Sequence, residues 1–431
     1  MPVSDLSSIN QSTSHYGTQR NKKWKVLLNR FTIGRSIWSC SLQSIALLQS
    51  FPHCLANHST QSGQRHQPLF YEGSPPVFTN KLSSLLLAFL LISTAAAATP
   101  IQIYGAWHCS NDACTWSTVR DITDFDAKNH WLIDRGDGVP SVNLVVLSFV
   151  DPLKLLNKTN DAQTVNGVPV GMNQQVVSYF ASHNVRVMLA IGGITFVPNW
   201  DTALSTNPTQ LGLNAAAAAK SLGVGIEIDY EENTTPKLTG MQAFINAYRS
   251  QLPYDATGAN AAARLTIDVA AGDRFLIDLD RKATSDWLNT SNPVLDYANA
   301  LVPSKQPTNA ASAEGNWQEH VDGKSNFAPP ILPLAPAKFT GSLYITSGHN
   351  TLPECTTFSS SLEDSTGGYV QTVAPNGAGT TGGMLGYMFW AAECPSTRNI
   401  CTTPPNTCQG GVGTGARTYS IPLPMPPLRQ Q

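Results

Sequence analysis

The amino-acid sequence predicts an α/β chain folded as a (β/α)8 TIM barrel with a short disulfide-pinned C-terminal tail. Three observations predict it. From about residue 100 to 395, short β-rich runs alternate with segments able to form helices. Most of those runs are apolar throughout, as parallel strands covered on both faces are. One of them carries an acidic residue at every second position. A doubly wound open sheet is the alternative for the same alternation.

The runs span 101–107, 142–150, 185–191, 224–230 and 265–270, with weaker candidates at 297–302, 339–345 and 384–390. A helix is expected over 211–222, built around Ala215 to Ala219 and stopped by Gly223. A second is expected over 241–252, where apolar residues recur at helical spacing. Beyond Pro395 the composition changes to Pro404-Pro405, Gly410-Gly411 and a proline-rich run over 422–427. Residues 396–431 therefore read as an extended tail held by Cys401 and Cys408.

A length of 431 residues suits one large barrel with appendages. Charged residues make up 13% and the formal net charge is −2, which gives no electrostatic reason for nucleic acid or anionic membrane as partners. The N-terminal part is unlike the rest. Residues 1–79 are basic, rich in Ser and Gln, and without sustained periodicity. Lys81 then precedes an apolar run whose greasy centre is Leu85 to Ile92 and whose exit is Ala95 to Ala98. Residues 80–98 have the form of a secretory signal peptide, and the run is short for a spanning helix, which needs roughly 20 apolar residues. An uncleaved anchor is the other reading. A signal so far from residue 1 makes 1–79 a disordered leader or the product of a mis-assigned start or wrongly joined exon. A targeting presequence is the alternative. Secretion follows, with membrane contact only in transit.

Cysteine usage agrees with export. Past the leader, which takes Cys40 and Cys54, remain Cys109, Cys114, Cys355, Cys394, Cys401 and Cys408, an even number. The low-crossing arrangement pairs Cys109 with Cys114, Cys355 with Cys394 and Cys401 with Cys408. Zinc fits poorly, because Cys109 and Cys114 have only His108 nearby. Asn157, Asn233 and Asn289 each open a glycosylation triplet.

The sharpest signal is Gly223-Val224-Gly225-Ile226-Glu227-Ile228-Asp229-Tyr230-Glu231. On a strand, Glu227, Asp229 and Glu231 share one face, and Val224, Ile226, Ile228 and Tyr230 share the other. In a barrel the acids line the lumen and climb to the C-terminal rim, where barrel active sites lie. Carboxylates stacked in a low-dielectric interior cannot all ionise cheaply, so at least one keeps its proton toward neutral pH and can donate it. An antiparallel strand with a wet acidic face is the bland alternative, and a Mg²⁺ site on three acids is the third.

These residues resemble glycoside hydrolase family 18, the chitinases and their relatives, whose fourth-strand signature is D-G-x-D-x-D-x-E. Gly225, Asp229 and Glu231 match, while Val224 and Glu227 stand for the first two Asp. The family's third-strand S-x-G-G appears as Ala190-Ile191-Gly192-Gly193, without the Ser. Gly386-Tyr387-Met388-Phe389-Trp390 resembles the eighth strand, and Tyr104-Gly105-Ala106-Trp107 the first. The resemblance implies that Glu231 protonates the leaving glycosidic oxygen, that Asp229 orients the substrate's own N-acetyl carbonyl, and that Glu227 tunes Asp229. It implies substrate contacts by Trp390, Tyr104, Trp107, Gly192, Gly193 and Met388. It also implies a sixth-strand Tyr, which is Tyr297 or, in another register, is replaced by Pro303.

The expectation is a secreted, monomeric glycosidase acting on N-acetylglucosamine-containing polysaccharide or glycan. No cofactor or metal is expected. A catalytically silent sugar-binding or inhibitor protein on the same barrel is the rival, since folds host unrelated functions.

Overall fold

The computed structural model describes residues 101–111, 121–134, 137–270, 276–301, 310–344, 383–390, 392 and 423–428. The leader and the signal segment lie outside them.

Eight parallel strands close into a barrel: β1 (Ile103–Cys109), β2 (Leu144–Val150), β3 (Arg186–Gly192), β4 (Gly225–Asp229), β5 (Leu265–Ala270), β6 (Ala298–Leu301), β7 (Phe339–Tyr344) and β8 (Gly386–Trp390). Closure is made by β1, which pairs with β2 on one side and β8 on the other. An open doubly wound sheet is thereby excluded. All eight expected strands are present, several a residue or two shorter than their apolar runs.

The described helices include α1 (Ile122–Asn129), α2 (Pro152–Leu156), α3 (Gln174–Ala181), α4 (Val197–Thr206), α5 (Pro208–Leu222), α6 (Leu238–Gln251), α7 (Ile277–Lys282) and α8 (Ala310–Asp322). Helix α5 delivers the acidic strand. Its start lies three residues before the expected one because Asn207 accepts from the Gln210 N–H at 3.1 Å and Pro208 occupies the first turn. It stops where expected, at Gly223 in the left-handed region, and the chain enters β4 two residues later. Neither α5 nor any other described helix is long and apolar enough to cross a membrane.

Alternation sorts the strand residues into two compartments. Tyr104, Val145, Leu147, Leu189, Ile226, Ile228, Ile267 and Phe389 face outward, in one cluster with residues of the covering helices. Ile103, Trp107, Leu144, Val146, Met188, Ala190, Tyr297 and Met388 face the lumen. The lower lumen is apolar. Its upper part carries Glu227, Asp229, Thr266, Asp268, Asn299 and Thr340, all buried.

The tail corrects an expectation. No disulfide joins two described residues, and none pins the tail among them; Cys401 and Cys408 lie outside the described residues, as do Cys114, Cys355 and Cys394. What holds the described part, 423–428, is packing. Met425 is buried in the lumen cluster with Leu428 packed against it, and the Met425 sulfur lies 3.8 Å from Arg264 Nη1. An apolar plug seated in the barrel floor holds this segment.

Candidate active site

Strand β4 sets the geometry. Its register against β3 pairs Ala190 with Glu227 and Gly192 with Asp229. The alternation expected of the three acids holds: Glu227 and Asp229 are buried in the lumen, and Glu231, just past the strand end, is partly exposed at the rim.

Glu227 is the deepest. The Trp107 indole N–H donates to its Oε1 at 2.6 Å, and the Asn299 side-chain amide donates to Oε2. Asn299 in turn accepts from the Thr340 hydroxyl at 2.7 Å. Four strands thus hold one carboxylate. Burial still pushes Glu227 up to about 7, against the opposing pull of Trp107 and, behind it, Asp268 and Thr266. Ala190 sits beside Glu227 where the family pattern has Ser, and its methyl group offers no hydroxyl. Trp107 and Asn299 supply the donors instead.

Asp229 lies between Glu227 and Glu231. Burial raises its pKa first, then the charges of Glu231 and Glu227, and a hydrogen bond shared with Glu231 adds to the rise. Its Oδ1 is buried without a partner. Glu231 is pushed up to about 7, chiefly by burial, with Asp229 and the Ile194 N–H acting in the other direction. A proton shared between Asp229 and Glu231 satisfies both.

Backbone contacts fix this pair in space. The Asp229 carbonyl accepts from Gly193 N at 2.9 Å and from the Trp200 indole at 3.1 Å. That approach needs Gly192. A Cβ there would lie 1.9 Å from the Asp229 carbonyl oxygen and 2.2 Å from Trp200 Nε1, and its φ of +116° is left-handed. Gly193, at φ +100°, leaves room for Phe149, which a Cβ would meet at 2.8 Å.

Trp390 stands at the end of β8, half-buried, its ring 5.5 Å from that of Phe149 and tilted to it by 51°. Phe149 falls at a register shift between Ser148 and Val150, a local irregularity that turns its ring toward the mouth. Together they form an aromatic wall able to lie against a sugar face.

Other expected site residues lie elsewhere. Tyr104 faces outward and packs on Phe389 with ring centroids 5.0 Å apart, so it does not reach the lumen. Tyr297 precedes β6 at the floor, with its hydroxyl 3.9 Å from the Met188 sulfur, below the acids. Pro303 lies outside the described residues. Met388 fills the lumen beside Gly105 as packing. Trp107 is in the site, but as the Glu227 donor rather than an open sugar platform.

Three residues at the heart of the site lay outside the sequence expectation. Asp268, Asn299 and Thr340 are inward residues of β5, β6 and β7, and the signal was available: a polar residue within each mostly apolar strand, with Thr266 and Ser342 also present on β5 and β7. Among the described residues, no group of three or more His, Cys, Asp or Glu is placed to hold a metal ion.

Comparison with known proteins finds no matching family model and no matching curated protein. Among solved structures, the chain is similar to a family 18 chitinase from Pseudoalteromonas aurantia, at 12% identity and a TM-score of 0.44, over 66% of this chain and 92% of that one. It is similar also to a chitinase from Rhizomucor miehei, at 12% identity and a TM-score of 0.44, over 73% and 99%. A third is the catalytic domain of chitinase B from Arthrobacter, at 13% identity and a TM-score of 0.42, over 75% and 98%. The (β/α)8 barrel of this chain is shown by its own strand pairing.

Proposed function

We propose that the protein is a glycoside hydrolase cleaving N-acetylglucosamine-containing polysaccharide or glycan by a substrate-assisted, retaining route. One observation carries the reading: a buried Asp229 sits between Glu227 and Glu231, and only Glu231 reaches the rim, with its proton held to about pH 7.

Glu231 gives that proton to the glycosidic oxygen as the bond from the anomeric carbon breaks. The substrate's acetamido carbonyl oxygen closes on the same carbon, held in line by Asp229. Water, deprotonated by the Glu231 carboxylate, then attacks and opens the new bond, so the sugar keeps its configuration. Substrate assistance replaces the enzymic nucleophile of the two-carboxylate scheme. Trp390 and Phe149 supply apolar surface for the sugar. Neither a metal nor a cofactor takes part in this route.

Export fits the reading. Asn157, Asn233 and Asn289, the glycosylation acceptors, are all exposed. N-terminal sequencing of the natural protein, with a start near Thr99 expected, tests the signal segment. A monomer acting alone on its polysaccharide completes the proposal.

Turnover of fluorogenic chitooligosaccharides and a glycoprotein panel by wild type and Glu231→Gln tests the chemistry. The substitution is expected to lower kcat by about 10² to 10⁴. Wild type and variant equally inert, both binding oligosaccharide, would establish a silent sugar-binding protein instead.

A further inference from the structure

The floor of the barrel, where the strands begin, holds two arginines. Arg186 opens β3, and Arg264 directly precedes β5. Their side chains converge on Gly258. Both terminal nitrogens of Arg186 donate to the Gly258 carbonyl, at 3.4 and 3.3 Å. Nη2 of Arg264 lies 2.9 Å from the point that a Cβ on Gly258 would occupy. The tail closes over the same point, with the Pro427 Cα at 3.3 Å and the Leu428 backbone nitrogen at 3.8 Å.

Arg264 is 2% exposed, yet its charge has no matching acceptor. Its Nε and Nη2 are buried without a hydrogen-bond partner among the described residues. Its Nη1 meets the Met425 sulfur at 3.8 Å, a weak acceptor. No carboxylate is among the hydrogen-bond partners of either arginine in the described residues. Two acids act on Arg186 from nearby, Asp296 and Asp255, but their oxygens serve other donors. Asp296 accepts from Arg249 at 3.1 Å and from the Leu265 N–H at 2.8 Å. Asp255 accepts from the N–H groups of Thr257 and Asn260. Burial, and next the charge of Arg264, push Arg186 down to about 10. Buried charges are stable where they are paired, and these two cations meet without an anion between them.

We propose that the barrel floor is a binding site for a small tetrahedral oxyanion, of the phosphate or sulfate class, held by Arg264 and Arg186 beneath tail residues 425–428. The Nε and Nη2 of Arg264 are the two donors of one guanidinium edge, and two oxygens of such an anion accept from that edge together. The bonds from Arg186 to the Gly258 carbonyl are longer than usual, so one of its N–H groups can turn to the anion at little cost. Because the tail closes over the same point, bound anion and docked tail stabilise each other. The arginines stand at the strand entrances and the three acids near the strand exits. The site is therefore separate from the carboxyl array and does not rest on the hydrolase reading.

Equilibrium dialysis of the full chain against radiolabelled inorganic phosphate near neutral pH, with chloride holding the ionic strength constant, tests the site. Saturable uptake of one phosphate per chain is expected. Excess sulfate is expected to displace it, and phosphate retained against sulfate would narrow the ligand to phosphate. Arg264→Met, which keeps an apolar side chain of similar reach, should weaken binding by about tenfold or more. No saturable uptake by wild type, or equal uptake by wild type and Arg264→Met, would overturn the proposal. Arg186→Gln carries the same prediction should Arg264→Met fail to fold. A second measurement needs no variant. Saturating phosphate is expected to slow phenylglyoxal labelling of the partly exposed Arg186 by about tenfold relative to chloride, read by peptide mass spectrometry. Equal labelling in the two salts would also overturn it. None of these readouts involves a sugar, so the outcome is independent of whether the chain is a hydrolase.

Discussion

Trp107 shows how much a single donor can matter in this barrel. Its indole N–H is one of two firm donors to Glu227, and replacing it with Phe leaves a buried carboxylate short of a partner. The cost depends on pH in a predictable direction. Glu227 is raised to about 7 in the folded chain, so the native state holds its proton more tightly than the unfolded chain does. Stability from that group is complete below the ordinary carboxylate range and is lost as pH rises through about 7. In Trp107→Phe the proton must be kept to still higher pH. We expect a modest packing loss at pH 5 and a further loss of about 1–3 kcal/mol at pH 8, measured by urea denaturation at the two values. Equal losses at both would show that the indole serves packing alone. The same residue marks what strand alternation could have decided earlier. Tyr104 and Trp107 are three positions apart on one strand, so they cannot both face inward. Assigning both to the site contradicted the rule that puts Glu227, Asp229 and Glu231 on one face.

Among elements, the β3–β4 junction tolerates little change. Gly192 lets the Asp229 carbonyl, the Trp200 indole and the Gly193 amide converge. Gly192→Ala puts a methyl group into that carbonyl at a left-handed φ. Destabilisation of about 3 kcal/mol or more is expected, with severe loss of activity in whatever fraction folds. Thermal unfolding and residual turnover together measure it. Elements were legible in proportion to how far neighbours' needs coincide with local pattern. Strand β4 could be read because its outward residues are uniformly apolar and its inward ones, past Gly225, are acidic. Strands β5 and β6 each offer one inward carboxyl or amide side chain, Asp268 and Asn299. Their meaning arises only when Glu227 lies across the lumen. No window along the chain contains that relation. The shift at Phe149 was invisible for a similar reason, since a register irregularity exists only relative to the partner strand.

For the whole molecule, the described tail residues 423–428 pack into one end of the barrel. Met425 and Leu428 occupy the floor beneath Ile103, Leu144, Met188 and Tyr297. Met425→Ala empties a site that is 2% exposed and should cost about 2–5 kcal/mol, read from the denaturation midpoint. A negligible change would mean that the segment rests on the floor without supporting it. The sequence indicated a tail with no core pattern of its own. It did not indicate that one methionine would be taken into another element's core, because a lone apolar residue among prolines carries no period.

That packed floor bears on how the acids exchange hydrogen with their surroundings. With Met425 and Leu428 packed into the base, the array of lumen carboxyls meets solvent, among the described residues, at the partly exposed Glu231 on the mouth side. A saccharide lying across that opening would cork the vessel. The number of protons inside would then be settled when the sugar arrives and would stay the same until it leaves, so bulk acidity would govern which molecules start the reaction rather than how each one finishes it.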